Sequence, residues 1–137
     1  MANTLYDNAR KLFLEGQLNW ANDTIKVTLV DTGAYTPIFA NHKFFADVAP
    51  AARITGAGVT LTSKDTTGGA ADAADVTFTS VSGPSIEAIV IYKDVGGDAS
   101  QSPLIAFIDT GTGLPITPNG GDIIVTWDNG PNKIFKV

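Results

Sequence analysis

The apolar positions of this chain follow two different spacings. Near the start, Leu5, Ala9, Leu12 and Phe13 recur at i, i+4, i+7 and i+8, while Asp7, Arg10, Lys11 and Glu15 fall mostly elsewhere. That spacing predicts one amphipathic helix over about residues 4–16, with Asn3 or Thr4 as its cap and Gly16 as its stop. A helix this short depends on burial of its apolar stripe, either on the body of the same subunit or on a neighbour.

Beyond Trp20 and an Asn22-Asp23 turn the spacing changes to two. Ile25, Val27 and Leu29 alternate with Lys26 and Thr28, which predicts a strand with one buried face, ended by Asp31-Thr32-Gly33. Residues 41–48 suit one or two helical turns with Phe44, Phe45 and Val48 inward, before Pro50 interrupts, and 53–62 suit a further strand. Residues 63–75 carry no large apolar side chain and predict a surface loop or extended arm. Strand patterns then follow at 76–81, 86–93, 104–109, 123–128 and 133–137, separated by Gly, Pro, Asn and Asp. Glu87 to Lys93 is apolar at nearly every position, as for a central strand covered on both faces. The last strand is short and flanked by Lys133 and Lys136, so it is an edge, within one subunit or against a neighbour. Many short strands and one N-terminal amphipathic helix predict a mainly β fold, an antiparallel β-sandwich or jelly-roll-like barrel.

Composition narrows the picture. At 137 residues and 44% hydrophobic content, the chain is expected to form a single β-rich domain spanning 1–137. It has no cysteine, so neither disulfides nor thiolate metal sites are available, and robustness must come from packing or association. Nine Lys and Arg against fourteen Asp and Glu give a charge of -5, the wrong sign for direct binding of nucleic acid. The longest apolar runs, Ala88–Tyr92 and Leu104–Ile108, are too short to span a membrane, and the charged N-terminal stretch does not resemble a secretory signal, so a soluble protein is expected.

Asp-Thr-Gly occurs twice after an apolar strand, as Asp31-Thr32-Gly33 and Asp109-Thr110-Gly111. Aspartic proteases place two such carboxylates close enough to share a proton. The chain is short for two sheet lobes with a flap, no apolar-apolar-Gly support strand follows either copy, and Asp-Thr-Gly is also an ordinary strand end. His42 is the only histidine and no nucleophile-elbow sequence accompanies it, so a surface or helix-start role is expected. Glu15 and Glu87 fall on separate predicted elements, which speaks against glycosidase chemistry. The acidic turns 94–98 and 128–132 offer oxygen ligands but do not match the calcium loop of the EF-hand, and read as hairpin turns. Trp20, as a wedge between helix and sheet, and Trp127, on the face of Ile123 and Val125, are core candidates. No catalytic residue, metal or cofactor is expected.

The opening Met1 to Arg10, the helix end Phe13-Leu14-Glu15-Gly16 and the strand Ile25-Lys26-Val27 with Leu29-Val30-Asp31 resemble a family of small virion proteins of tailed bacteriophages. So do Asp75-Val76-Thr77-Phe78, Glu87 to Lys93, and Gly113 to Asp122 leading into Thr126-Trp127-Asp128-Asn129-Gly130, so that the resemblance covers nearly the whole chain. It implies a structural role in the virion, assembled in the host cytoplasm, with no catalytic residues to carry over. The expected role is a capsid decoration or cement protein on the outer surface of the major capsid lattice. Its partners would be the major capsid protein or other virion proteins and further copies of itself, as a homo-oligomer, with no membrane and no direct nucleic acid. The alternative is a tail, neck or fibre component with a receptor-binding or adaptor role, and the repeated tripeptide leaves an aspartic-protease-like hydrolase using Asp31 and Asp109 as a third. Leu5, Tyr6, Leu12 and Phe13 of the helix and Phe135 of the last strand are the candidate interface.

Overall fold

A computed structural model describes residues 4–109, 114–127 and 133–136. Its elements are β1 (Thr4–Leu5), α1 (Asp7–Leu14), β2 (Ile25–Val30), β3 (Val59–Thr60), β4 (Ala70–Ala71), β5 (Val76–Phe78), β6 (Ala88–Lys93), β7 (Leu104–Ile108), β8 (Ile123–Val125) and β9 (Phe135–Lys136). The mainly β fold with one helix forms as the sequence predicts. Its antiparallel strands fall into a five-stranded sheet, in the order β1-β7-β6-β2-β3, and two short ladders, β4-β9 and β5-β8. Acidic turn 128–132 and Thr110-Gly111 of the second tripeptide lie outside the described residues.

The strand predicted to be central is central. From Ala88 to Tyr92 every residue of β6 is buried, and β6 pairs with β2 on one side and β7 on the other. Both of its faces therefore need cover. One face carries Val90, Tyr92, Phe107, Thr28 and Lys26, because these positions share the same pleat across the register. The long connection 31–58 lies on it: Tyr35 and Phe39 meet Phe107 at ring-centroid distances of 6.4 and 6.1 Å, Phe45 stacks on Tyr92, and Thr55 Oγ1 lies 2.8 Å from Thr28 Oγ1.

This cover changes the reading of β2. The alternation of Lys26 and Thr28 predicts one buried face, yet Thr28 is fully buried. A threonine tolerates this because its hydroxyl bonds to Thr55 and to the carbonyl of Gly56, at 2.8 and 3.0 Å. The connection has to come close to do so. At Gly58, with φ +83, a Cβ would stand 1.9 Å from the carbonyl oxygen of Val27.

The helix is shorter than the predicted 4–16. Thr4 and Leu5 pair with Phe107 and Ala106 instead, Tyr6 takes the N-cap position, and the turn begins at Asp7, whose N–H donates to the carbonyl of Phe39 at 3.1 Å. Local periodicity is overridden here because the edge of β7 offers backbone partners that an isolated first turn lacks. A bulge in β7 lets the chain leave the sheet. The register between β6 and β7 shifts at Ile91/Tyr92, and the carbonyl of Ile105 accepts the N–H of Tyr6 at 3.0 Å. Gly16, φ +73, ends the helix as predicted. In 41–48 the helical turn contracts to a 3-10 turn over Phe45–Asp47, with Phe45 and Val48 inward and Phe44 only half-buried.

Residues 63–75 are not an extended arm. Asp65 and Asp72 exchange backbone hydrogen bonds at 2.9 Å, and Ala70, Ala71 and Ala73 are buried. Both tryptophans hold the segment: the indole of Trp20 donates to the carbonyl of Asp72 and that of Trp127 to the carbonyl of Ala74, each at 3.0 Å. Lys64 Nζ donates to the carbonyl of Asp23. Ser63 and residues 65–69 stay exposed, as a surface loop, while the alanines at 70, 71 and 73 are buried where the two indoles bond to the backbone. The last strand closes on the same segment, pairing Ala70 with Lys136 and Ala71 with Phe135.

The close approach at Gly58 gives a stability contrast. Gly58→Ala is expected to lower unfolding free energy by about 3 kcal/mol or more, through clash added to positive φ. Gly16→Ala, also at positive φ but with nothing within 4 Å of the new Cβ, is expected to cost only about 1 kcal/mol. Urea midpoints of the two variants test this, and equal losses would show that the approach to Val27 is not tight.

Candidate functional site

A cavity of about 240 Å³ opens where β2 begins and β6 ends, on the face covered by the 31–58 connection. Lys26 and Tyr92 are cross-strand neighbours on its sheet side, and Phe45 and Arg53 reach it from the connection. The phenol of Tyr92 and the ring of Phe45 stack at 3.9 Å with 7° between planes, and the guanidinium of Arg53 lies over Phe45 at 4.1 Å. Tyr92 occupies one face of Phe45, so Arg53 occupies the other. Arg53 Nε donates to the carbonyl of Val48 and Nη2 to that of Phe45, both at 2.9 Å. Burial pulls its pKa below the usual guanidinium value, with Tyr92 opposing. Burial pushes Tyr92 up to about 12, helped by Asp94 and opposed by Arg53, and its hydroxyl donates to the carbonyl of Ala57 at 2.6 Å. Lys26 Nζ and Asp94 Oδ2 form an ion pair of 3.8 Å at the rim. The remaining wall is backbone and small residues, among them Gly56, Ala57, Gly97 and Ala99.

A second polar cluster joins the start of α1 to the connection. The hydroxyls of Tyr6 and Tyr35 are 2.7 Å apart, and Tyr35 lies 3.0 Å from Nδ1 of His42 and stacks on its ring. The N–H of Ile38 donates to the same Nδ1 at 3.1 Å, which makes Nδ1 an acceptor and puts the ring proton on Nε2. Tyr35 then donates to His42, and Tyr6 to Tyr35. Burial, with the neighbouring Tyr35, holds Tyr6 far above the usual phenol range, and burial pushes Tyr35 up to about 12, against the hydrogen bond from Tyr6. His42, expected at a surface or helix start, is thus a half-buried acceptor in a structural network.

The two Asp-Thr-Gly copies come to the same end of the sheet, but β6 runs between the strands that carry them. Extending the register one residue past the strands puts Asp31 opposite Glu87 and Asp109 opposite Ala88. With strands roughly 5 Å apart, the two aspartate backbones stand about 10 Å apart, in rows whose side chains leave opposite faces. That is not the geometry of a carboxylate pair sharing a proton within one chain. Asp31 instead accepts the N–H of Gly33 at 2.8 Å, closing an Asx turn, and Thr32 donates its N–H and hydroxyl to Glu87 Oε1 at 3.0 and 3.1 Å. Ser85 donates to the other oxygen of Glu87. Partial burial raises the Glu87 pKa, but the bonds from Ser85 and Thr32 outweigh it and hold the carboxyl below its usual value. In the acidic turn 94–98, Asp94 is spent on Lys26 and Asp98 accepts both the N–H and the hydroxyl of Ser100.

No protein-family model matches the chain, and no curated protein matches it.

The candidate interface residues divide. Leu5 and Tyr6 are buried in their own subunit, against β7 and Phe39, so they belong to the core and not to an interface. Leu12 is half-buried, and Phe13 and Phe135 meet each other at 6.1 Å, with Trp20 edge-on to Phe135 at 5.2 Å. The helix stripe is therefore covered largely by the chain itself. Among the described residues, the large apolar side chains that stay exposed are Leu14 at 86%, Ile124 at 64% and Ile38 at 50%. None of these three was among the candidate interface residues read from the sequence. Nor was the cavity legible there, because no motif links positions 26, 45, 53 and 92.

Two pH responses follow. All three tyrosines of the chain have raised pKa values, so each favours the folded state fully at neutral pH and loses that contribution as pH climbs from about 10. Phenolate absorbance is expected to appear only together with loss of ellipticity, in one alkaline transition; free titration of a tyrosine near pH 10 in folded protein would contradict the burial. Glu87 acts with the opposite sign. Its lowered pKa stabilises the fold above the ordinary glutamate value and ceases to do so as pH falls through the folded-state value. Glu87→Gln is expected to flatten the acid limb of stability against pH, measured by urea unfolding at stepped pH.

Proposed function

We propose that this chain is a structural protein of a tailed-phage virion, a decoration or cement protein seated on the outer surface of the capsid lattice as one of many copies, and that it performs no catalysis. The observation that carries the reading is the nearly chain-long resemblance to small virion proteins, from Met1-Ala2-Asn3-Thr4-Leu5 to Thr126-Trp127-Asp128. The surface supports it. Leu14 and Ile124 present large apolar side chains to solvent on an otherwise acidic protein, and a bound partner would remove them from water at a gain of about 2 kcal/mol each. Many modest contacts of this kind, repeated by symmetry, stabilise a shell through avidity without any single tight site.

The test is to add the purified protein to empty expanded heads and follow both binding and the temperature of shell disruption. Saturable binding in hundreds of copies with a higher disruption temperature is expected, and Leu14→Ser with Ile124→Ser should weaken it without loss of fold. Heads left untouched while labelled protein decorates the tail would replace this reading with the tail, neck or fibre role.

A further inference from the structure

The cavity at the start of β2 and the end of β6 is lined by one more positive than negative side chain, Lys26 and Arg53 against Asp94. Lys26 is matched by Asp94, but Arg53 forms no ion pair with a carboxylate among the described residues. Its Nε and Nη2 are taken by neutral carbonyls, and Nη1 has no partner among the described residues. Carbonyls and a ring face orient a guanidinium without cancelling its charge. The half-buried cation lies over the ring of Phe45 and lines the cavity, with no carboxylate of the described residues on it.

We propose that this cavity binds a carboxylate group, held by Nη1 of Arg53 and by Lys26 Nζ. Such a group would supply the missing counter-charge in the form guanidinium binds best, through charge-assisted hydrogen bonds. The small residues of the wall, Gly56, Ala57, Gly97 and Ala99, leave space for the atoms that carry it. The charge of -5 opposes anions at long range, but at physiological ionic strength that field is screened beyond about 8 Å and the local cations decide. The carboxylate has two sources, a free organic acid or an acidic side chain of a neighbouring protein; the second rests on the virion reading above.

Amide chemical shifts of the whole chain, followed by NMR at constant ionic strength, test the proposal. The probes are acetate with acetamide as neutral control, and a blocked Ala-Glu-Ala peptide with its Ala-Gln-Ala counterpart. Saturable shifts at Gly56, Ala57, Gly97 and Ala99 are expected with the acids and not with the amides. Lys26→Gln should weaken binding about tenfold, the worth of one charge-assisted bond, while its spectrum elsewhere stays that of the folded chain. Arg53→Lys, which keeps the charge and loses the fork, should weaken it as well. Equal affinity for acetate and peptide marks a site for free acids, and a peptide about tenfold tighter marks a protein side chain. Shifts that never saturate, scatter over the surface or persist unchanged in Lys26→Gln would overturn the proposal. The isolated chain is measured, so the outcome is independent of where the protein sits in a particle.

Discussion

A strand that is apolar at every position from Ala88 to Tyr92 has to be covered on both sides, and the rest of the structure answers that requirement. Removing Ile89, Val90 and Ile91 from water contributes roughly 2 kcal/mol each, but only if both faces of the sheet are closed. One face is closed by a connection with little regular structure of its own, residues 31–58. It cannot supply backbone ladders, so it is held by side chains: Tyr35 and Phe39 on Phe107, Phe45 on Tyr92, Thr55 on Thr28.

The polar groups carried into this layer are satisfied in the same way. Arg53 closes the turn over Phe45–Asp47 by donating to the carbonyls of Phe45 and of Val48, the residue that follows it, and then covers the Phe45 ring, so one side chain serves as cap, ion and packing surface. The chain of donors from Tyr6 through Tyr35 to His42 fixes the direction of each hydrogen bond, because Ile38 already uses Nδ1 as an acceptor. It ties the first residue before α1 to the connection, beside the bond from Asp7 to Phe39. Helix start, covering layer and sheet are thus one unit.

The opposite strategy holds residues 63–75. There, alanines in place of large apolar groups let the backbone lie against two indoles, and each indole N–H finds a carbonyl of the segment. Phe135 completes the arrangement by filling the space between Phe13 and Trp20 and pairing its strand with Ala71. Features that in isolation suggest contact with a neighbour, an apolar helix stripe, a polar loop and a short terminal strand, satisfy one another within the chain. Among the described residues, the large apolar side chains left exposed are Leu14, Ile38 and Ile124.

The sequence alone determined most of the strands and the mainly β class. Alternation placed β2, strand-sized runs bounded by turn residues placed β5 to β9, the unbroken apolar run marked β6 as central, Gly16 marked the helix end, and both tryptophans were legible as core. These features are local: they depend on which residues can share a face or take a positive φ. Tertiary structure decided everything that depends on which surfaces meet. It drew Thr4 and Leu5 from the helix pattern into the sheet, buried Thr28 under Thr55 and folded Ala70, Ala71 and Ala73 of the polar run 63–75 into the core. It kept Asp31 and Asp109 on strands separated by β6, and it gathered Lys26, Phe45, Arg53 and Tyr92 around one cavity. No spacing in the chain encodes that last group, because its members come from β2, from β6 and from two turns of the 31–58 connection, and share a site only through the register of β2 on β6 and the path of the layer above them.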